Sequence, residues 1–101
     1  MSYVRLFQSA VDPADLEEFE RLFEEDVKPV FTAFPGCLGI ELIMNVDKNA
    51  GGLIEGAALS RWNSLGELQD ALASRQAQEA MVRIVQLLHH EPVTKTFEVR
   101  A

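Results

Sequence analysis

LGIELIMNVDKNAGGLIEGAALSRW, residues 38–62, contains two apolar runs separated by a turn-forming segment. In the first run, residues 38–47, every second side chain is apolar and shares one face of a strand: Leu38, Ile40, Leu42, Met44 and Val46. The other face takes Glu41, Ile43 and Asn45. Residues 48–52, KNAGG, have the composition of a turn, and residues 53–62 supply a returning strand. The stretch therefore predicts an antiparallel β-hairpin.

A strand and a helix precede this hairpin. Residues 3–11, YVRLFQSAV, are rich in β-forming side chains and predict the first strand. Asp12 is expected to cap the following helix, with Pro13 at its first position. The apolar side chains of that helix recur at spacings of three and four: Leu16, Phe19, Phe23, Val27, Val30 and Phe34. Pro29 is expected to bend this helix, and Pro35-Gly36 to end it.

Two helices and a last strand follow the hairpin. In the capping-box pattern Ser64-x-x-Glu67, each side chain would satisfy a backbone N–H of the other and start a helix that ends near Leu72. Ser74 is expected to cap a second helix over residues 75–89, and residues 93–100 predict the final strand. The order βαββαβ is that of an α+β, ferredoxin-like fold with a four-stranded antiparallel sheet, in one domain over residues 1–101.

Composition excludes several classes of partner. The chain has 101 residues, enough for one core, and its 16 acidic and 9 basic residues give a net charge of −7. This charge repels phosphate backbones and anionic membrane surfaces, so neither nucleic acid nor a membrane is expected as a partner. The first strand is not preceded by a signal-type segment, and the single cysteine, Cys37, allows no internal disulfide. We therefore expect a cytoplasmic protein.

The second face of the sheet predicts a partner chain. Helices of this fold cover one face only, and the other face would carry apolar Ile43 and Leu59 beside charged Glu41, Glu55 and Arg61. Such a surface is too apolar to be fully hydrated and too charged to be the core of a monomer. A second sheet packed across it resolves the conflict, so we expect a homodimer formed through the sheet face.

Trp62, the only tryptophan, is the first candidate for a functional site. By alternation it shares a strand face with mostly small residues that leave space above the strand: Ile54, Gly56, Ala58 and Ser60. The indole would either fill that space as part of the core or form the wall of a small-molecule pocket. Gln8 and Asn45 are strand amides that would orient a phenol or quinol oxygen of a substrate, or else hydrogen-bond to backbone at a sheet edge or dimer interface.

The residues do not predict a metal or nucleotide site. His89 and His90 are adjacent, and adjacent helical side chains point about 100° apart, so the pair cannot clamp one ion as an i, i+4 pair can. At the end of a helix, these imidazoles would instead interact with the helix dipole. Glycine-rich nucleotide motifs, a P-loop and a G-x-S-x-G motif are all missing from the sequence. We expect neither a metal nor an organic cofactor, and no hydrolase or kinase chemistry.

Three segments carry a resemblance to a known family: FPGCLGIEL at 34–42, LSRWNS at 59–64 and TKTFEV at 94–99. In this order and at this spacing they resemble the antibiotic biosynthesis monooxygenase type of dimeric α/β barrel. The resemblance implies a ferredoxin-like protomer whose sheet packs on that of a second protomer, with a cavity between sheet and helices. Members of this family include monooxygenases that oxidise quinols or polyketide aromatics without metal or flavin, haem-degrading enzymes, and proteins with no assigned activity.

Residue by residue, the resemblance extends only a short way. Trp62 matches the tryptophan that lines the pocket of catalytic members, and Arg61 and Asn63 beside it are candidates for stabilising a developing anion. The haem-degrading branch has an asparagine on the first strand and a histidine in the helix after the tryptophan. Here the first strand offers Phe7-Gln8, and the later position lies near Leu72. Haem degradation is therefore not expected.

Two functions of different classes remain. One is a cofactor-independent monooxygenase that binds, desolvates and orients a small electron-rich aromatic such as a quinol, with Trp62 as the wall against its ring. The other is a non-enzymatic small-ligand-binding or structural dimer of the same fold. A cavity near Trp62 with polar atoms converging on it would favour the first function.

Overall fold

A four-stranded sheet forms one layer of the protein. A computed structural model of the chain describes residues 1–47 and 50–101. Its strands are all paired antiparallel, in the order β2-β3-β1-β4: β1 (Tyr3–Val11), β2 (Cys37–Met44), β3 (Ile54–Trp62) and β4 (Val93–Glu98). This arrangement, with its helices on one face, confirms the predicted α+β, ferredoxin-like fold.

Within the described ranges, three helical segments form the second layer. The first begins with a 3-10 turn at Pro13–Asp15 and continues through α1 (Leu16–Leu22), a π-helical turn (Phe23–Val27) and α2 (Lys28–Thr32). The other two are α3 (Leu65–Ala73) and α4 (Arg75–Val85). None of the helices among the described residues is long and apolar enough to cross a membrane.

The predicted caps begin these helical segments. Asp12 Oδ1 accepts a hydrogen bond from the Ala14 N–H at 2.9 Å, and Ser74 Oγ accepts one from the Ala77 N–H at 3.2 Å. Ser64 Oγ likewise accepts from the Glu67 N–H at 3.2 Å. The second half of the predicted capping box differs, because the Glu67 carboxylate accepts from the Ser64 hydroxyl at 2.9 Å.

The π-helical turn changes which side chains of the first segment reach the core. Pro29 has no N–H to donate and its ring crowds the carbonyl four residues earlier, and the widened turn lies directly before α2, in which this proline sits. The extra residue in the turn shifts the apolar stripe, so Phe31 is buried in the core while Val30, predicted there, is only half-buried. Leu22, which precedes this turn and lies three residues after Phe19, is also buried. The helix ends at Thr32, before Pro35-Gly36.

A β-bulge corrects the prediction for the start of β2. Cys37 pairs with Trp62 and Gly39 with Arg61, so Leu38 is an extra residue between two consecutive partners. Leu38 is therefore 57% exposed instead of facing the core, and Cys37 takes its place on the helix side. The bulge uses Gly39 at φ 150°, a backbone conformation that side chains disfavour.

Three element ends also differ from the prediction, and one of them is β4, which ends at Glu98 instead of residue 100. β2 ends at Met44, so Val46 is 96% exposed and lies outside the predicted strand. α4 ends at Val85, and the chain then returns to β1, where Leu88 bridges Val11 and the His89 N–H donates to the Ala10 carbonyl at 2.9 Å. His89 is thus outside any helix. Part of the predicted turn, residues 48–49, lies outside the described residues, and Ala50–Gly52 form a 3-10 turn.

The strand register sorts the sheet into two faces. The face towards the helices carries alternate residues of the two central strands, including Trp62, which has no exposed surface and belongs to one buried cluster with Leu68 and Val27. The opposite face, here called the open face, has no covering layer among the described residues. It carries apolar side chains interspersed with charges: Val4, Leu6, Ile43, Leu59 and Phe97 beside Glu41, Glu55, Arg61 and Lys95.

Candidate functional site

Small side chains on β3 open a cleft between the sheet and the helices. Phe7 on β1 lies opposite Ala58 on β3, and Arg5 lies opposite Ser60. Because Ala58 has only a methyl group, the helices resting on this face leave unfilled space above it. Gly56, the next residue on the same face, is small for a local reason: a Cβ there would lie 2.9 Å from the Ile43 carbonyl oxygen. The predicted space above β3 is therefore real, and Ala58 is its floor.

The main part of this cleft is a cavity of about 220 Å³, here called the Arg5 cavity. Most of its wall is apolar and comes from sheet and helices together: Phe7, Val27, Phe31, Ile40, Leu72 and Met81. Three polar side chains also line it, Arg5, Ser60 and Gln78. A smaller inner cavity of about 30 Å³ continues from it past Phe7, Ala58 and Met81. An apolar chamber with a few convergent polar groups is the usual form of a small-molecule site.

Arg5 is the cation of this cavity. Among the described residues its side chain donates one long hydrogen bond, from Nη1 to Thr96 Oγ1 at 3.4 Å on the neighbouring strand β4. Burial lowers the pKa of Arg5, and in the described part of the chain no carboxylate forms an ion pair with it. Arginine stays protonated at neutral pH even so. The cavity therefore contains a positive charge that is partly removed from water and has no counter-charge from the protein.

Trp62 contributes to the cavity through Ser60. The indole Nε1–H donates to Ser60 Oγ at 2.8 Å, and the Ser60 side chain is buried. Because this oxygen accepts from the indole, the Ser60 hydroxyl hydrogen is left to donate towards the cavity. The indole itself is fully buried and is not among the side chains that line the Arg5 cavity in the described structure. Trp62 thus packs in the core one layer behind the cavity wall.

The other predicted site residues lie elsewhere. Arg61 is exposed on the open face, opposite Val4, and Asn63 is exposed after the end of β3, where its N–H donates to the Gly36 carbonyl at 2.8 Å. Gln8 is also exposed on the open face, and Asn45 Oδ1 caps the Asp47 N–H at 2.8 Å.

Gln8 and Asn45 do share a surface. They line a broad, open depression of about 540 Å³ together with Glu55, His90 and Glu91. The structure therefore brings these two amides together but places them apart from Trp62 and the Arg5 cavity. Among the described residues, no three His, Cys, Asp or Glu side chains are grouped so that they could hold a metal ion.

Two of the three segments that carry the family resemblance, 34–42 and 59–64, contact each other. Gly36, in the segment 34–42, has φ 80°, and a Cβ on it would collide with the Glu67 carboxylate of α3. The Asn63 N–H, from the segment 59–64, donates to the carbonyl of the same glycine. These two contacts hold the start of β2 next to the start of α3, beside Trp62.

Sequence reasoning missed Arg5 and Gln78. Arg5 gave one signal, since it is a charged residue between Tyr3 and Phe7 at alternate positions of an otherwise apolar strand face. Which face points to the helices depends on the pairing of β1 with β3, a contact far apart in sequence. Gln78 gave no signal, because a glutamine beside the apolar stripe of α4 reads as an ordinary surface residue.

Comparison with known proteins gives a consistent family and fold. A family model described as antibiotic biosynthesis monooxygenase matches residues 2–83. Comparison with curated protein sequences finds no significant match.

Three solved structures illustrate the likeness in fold. A variant of SnoaB, a cofactor-independent oxygenase from Streptomyces nogalater, is 20% identical, covers 99% of this chain and 94% of its own, and has a TM-score of 0.80. A candidate antibiotic biosynthesis monooxygenase from Bordetella bronchiseptica is 16% identical over 99% and 98%, with a TM-score of 0.81. A conserved protein from Methanosarcina mazei is 15% identical over 99% and 94%, also at 0.81. At these identities the likeness establishes the fold alone.

Proposed function

Because the chain belongs to the antibiotic biosynthesis monooxygenase family, we propose that it is a cofactor-independent monooxygenase acting on a small electron-rich aromatic of the quinol or polyketide-like class. The observation that carries this proposal is the Arg5 cavity, an apolar chamber with one unpaired cation and a hydroxyl held in place by Trp62. These are the features needed to bind a planar aromatic anion and remove it from water.

The chemistry we propose is balanced without a further reductant. For a phenol such as 1-naphthol, loss of the O–H proton gives an electron-rich anion whose para carbon reacts with O₂. One oxygen atom becomes bonded to that carbon, which loses its hydrogen, and the other leaves as water. The product is the 1,4-quinone, and the aromatic itself supplies the two electrons that reduce the second oxygen atom.

The side chains of the cavity would have different roles in this reaction. Arg5 would stabilise the anionic oxygen, and the Ser60 hydroxyl, fixed by the Trp62 N–H, would donate a hydrogen bond to oxygen as charge develops there. Phe7 and Met81 would hold the ring in a dry environment, which strengthens both interactions. Trp62 would therefore act as a positioning residue.

The roles predicted for Arg61, Asn63, Gln8 and Asn45 stay proposals. These side chains lie outside the Arg5 cavity, on or near the open face. They would act on a substrate only where a second protomer completes a site at that face.

We also propose that the chain forms a homodimer through the open face. Ile43 on the edge strand β2 is 43% exposed, and Phe97 on the opposite edge strand β4 is 49% exposed. Apolar surface therefore reaches both edges of the open face, and a second sheet would cover it. Charges of both signs, from Glu41 and Arg61 for example, lie among these apolar side chains and would pair across a two-fold interface. A cytoplasmic location is proposed on the single half-buried cysteine alone.

One observation favours the second candidate, a non-enzymatic ligand-binding dimer. No histidine or carboxylate lines the Arg5 cavity in the described residues, so the protein offers no evident base to take the phenolic proton. A substrate that is already anionic, or whose pKa is lowered by Arg5, would not need such a base. The two candidates therefore differ in whether a bound aromatic consumes oxygen.

The experiment that separates them is oxygen uptake with 1-naphthol, 1-hydroxy-2-naphthoate and anthrone. We expect uptake above the buffer rate with at least one of them. Ala58→Leu, which fills the cavity floor, should reduce this rate at least tenfold, whereas Ala73→Leu, at an exposed position of α3, should not change it. Binding without uptake for every compound would support the non-enzymatic candidate and reject the monooxygenase.

A further inference from the structure

The charge on Arg5 combines partial burial with the lack of an ion pair. The protein has 16 acidic and only 9 basic residues, so most basic side chains have a carboxylate close by. Among the described residues, four other arginines form ion pairs with carboxylates: Arg21, Arg75, Arg83 and Arg100. Arg61 and Lys95 also form no ion pair in the described part of the chain, but both are exposed on the open face. Arg5 is less exposed than all of these and yet forms none.

The strands beside Arg5 supply hydroxyls where a carboxylate would be expected. Its partner on β3 is Ser60 and its partner on β4 is Thr96. Glu98, the next residue on the same face of β4, pairs with Arg100 at 2.8 Å and accepts from the Tyr3 hydroxyl at 3.4 Å. The one carboxylate on this part of the sheet is thus engaged by other groups.

An unpaired charge in an apolar chamber destabilises the protein unless something compensates it. Removing a charged group from water is unfavourable, and the partly buried Arg5 recovers little of this through a single 3.4 Å hydrogen bond. A bound anion would compensate it, because the guanidinium presents a planar set of donors that matches two oxygen atoms at once.

The cavity also limits the size of that anion. At about 220 Å³ it lies below the common range for drug-sized ligands, about 300–1,000 Å³. Its apolar walls, with Phe7 on the sheet and Phe31 on the helical layer, suit a flat hydrocarbon face.

We propose that the Arg5 cavity selects one- or two-ring aromatics that carry an anionic oxygen, with Arg5 as the residue that recognises the charge. This inference rests on the proposed function only for the location of the site. It concerns recognition, and it holds for a ligand that cannot be oxidised.

The test measures binding of two isosteric probes, 2-naphthoate and 2-naphthamide, by titration calorimetry without oxygen. The wild-type protein should bind the acid at least tenfold more tightly than the neutral amide. Arg5→Gln should abolish that preference by weakening naphthoate binding at least tenfold while leaving naphthamide unchanged. Arg75→Gln, the same substitution at a side chain that is 87% exposed, should behave as wild type.

A second variant shows whether weaker binding by Arg5→Gln comes from the lost charge or from a loss of structure. Arg5→Lys keeps the charge but not the planar donors, so it should retain a smaller preference for the acid. Equal binding of acid and amide by the wild type, unchanged preference in Arg5→Gln, or no binding of either probe would each overturn the inference.

Failure of this inference and failure of the proposed function are distinguishable. Oxygen uptake without any preference for naphthoate would retain the monooxygenase and reject charge recognition by Arg5. A tenfold preference for naphthoate without oxygen uptake would retain the anion site and reject the monooxygenase.

Discussion

Arg5 and Ser60 lie directly opposite each other on β1 and β3, and both side chains line the same cavity beneath the helices. One is a cation without a counter-charge, and the other is a hydroxyl whose oxygen accepts a hydrogen bond from the Trp62 N–H at 2.8 Å and which keeps its own hydrogen as a donor. Together they present donors without an acceptor of their own among the described cavity-lining side chains. This pairing favours an anionic or strongly hydrogen-bond-accepting oxygen as the occupant.

The Trp62–Ser60 hydrogen bond is expected to couple the two residues energetically. Ser60→Ala leaves a buried indole N–H without a partner, which costs about 1–3 kcal/mol, and Trp62→Phe removes the donor together with part of the ring. In the double variant the loss should be smaller than the sum, by about 1 kcal/mol. Urea unfolding of the four proteins measures this coupling, and strictly additive losses would show that the bond contributes nothing.

Gly36 and Gly66 give opposite predictions for the same substitution. Gly36→Ala puts a side chain on a residue at φ 80° and would also displace the Glu67 carboxylate, so it should lower the free energy of unfolding by about 1–3 kcal/mol. Gly66 lies in α3 with open space around its Cα, so Gly66→Ala should raise stability by up to about 1 kcal/mol. Thermal unfolding of both variants tests this, and an equally stable Gly36→Ala protein would mean that Gly36 does not hold this positive φ beside Glu67.

Cys37 is expected to be a poorly reactive thiol. Burial raises the pKa of Cys37, so the reactive thiolate is a smaller fraction at any given pH than in a free cysteine peptide. Alkylation by iodoacetamide should therefore be slower than for such a peptide, and its pH profile should be displaced to higher pH. Denaturant should remove both differences. A native rate equal to that of the peptide would indicate that the thiol is accessible and unperturbed.

The open face is expected to hold the dimer together. Phe97→Glu places a charge on the open face, on the edge strand β4, and should convert a species of twice 11.3 kDa into a monomer. Val82→Glu is the matched control, since Val82 is similarly exposed on α4, on the helical side of the molecule. Light scattering after size exclusion gives both masses, and a monomeric wild-type protein at micromolar concentration would reject the dimer.

Local sequence signals predicted most of the fold. Asp12, Ser64 and Ser74 each cap a helix within three residues, so the interactions that start these helices are visible in short windows of sequence. Strict alternation also predicted that Trp62, Ser60 and Ala58 share one strand face.

The features that the sequence did not predict have causes that are not local in sequence. The alternation of side chains mispredicted the face on which Leu38 lies, because a β-bulge adds one residue to β2. The position of such a bulge depends on the pairing with the partner strand β3. Alternation also gave no way to place Arg5, since the face of β1 is fixed only by its pairing with β3, about fifty residues away in the chain. The same reason left the choice between core packing and pocket wall open for Trp62. In the structure the indole packs in the core and reaches the cavity only through Ser60.

The most direct measurement is isotope incorporation from ¹⁸O₂ into 1-naphthol and 1-hydroxy-2-naphthoate by metal-free protein. We expect quinone that contains one ¹⁸O atom, formed faster than in buffer, with the rate at least tenfold lower in Ala58→Leu and unchanged in Ala73→Leu. Product formed at the buffer rate, or quinone without ¹⁸O, would contradict a monooxygenase that works in the Arg5 cavity.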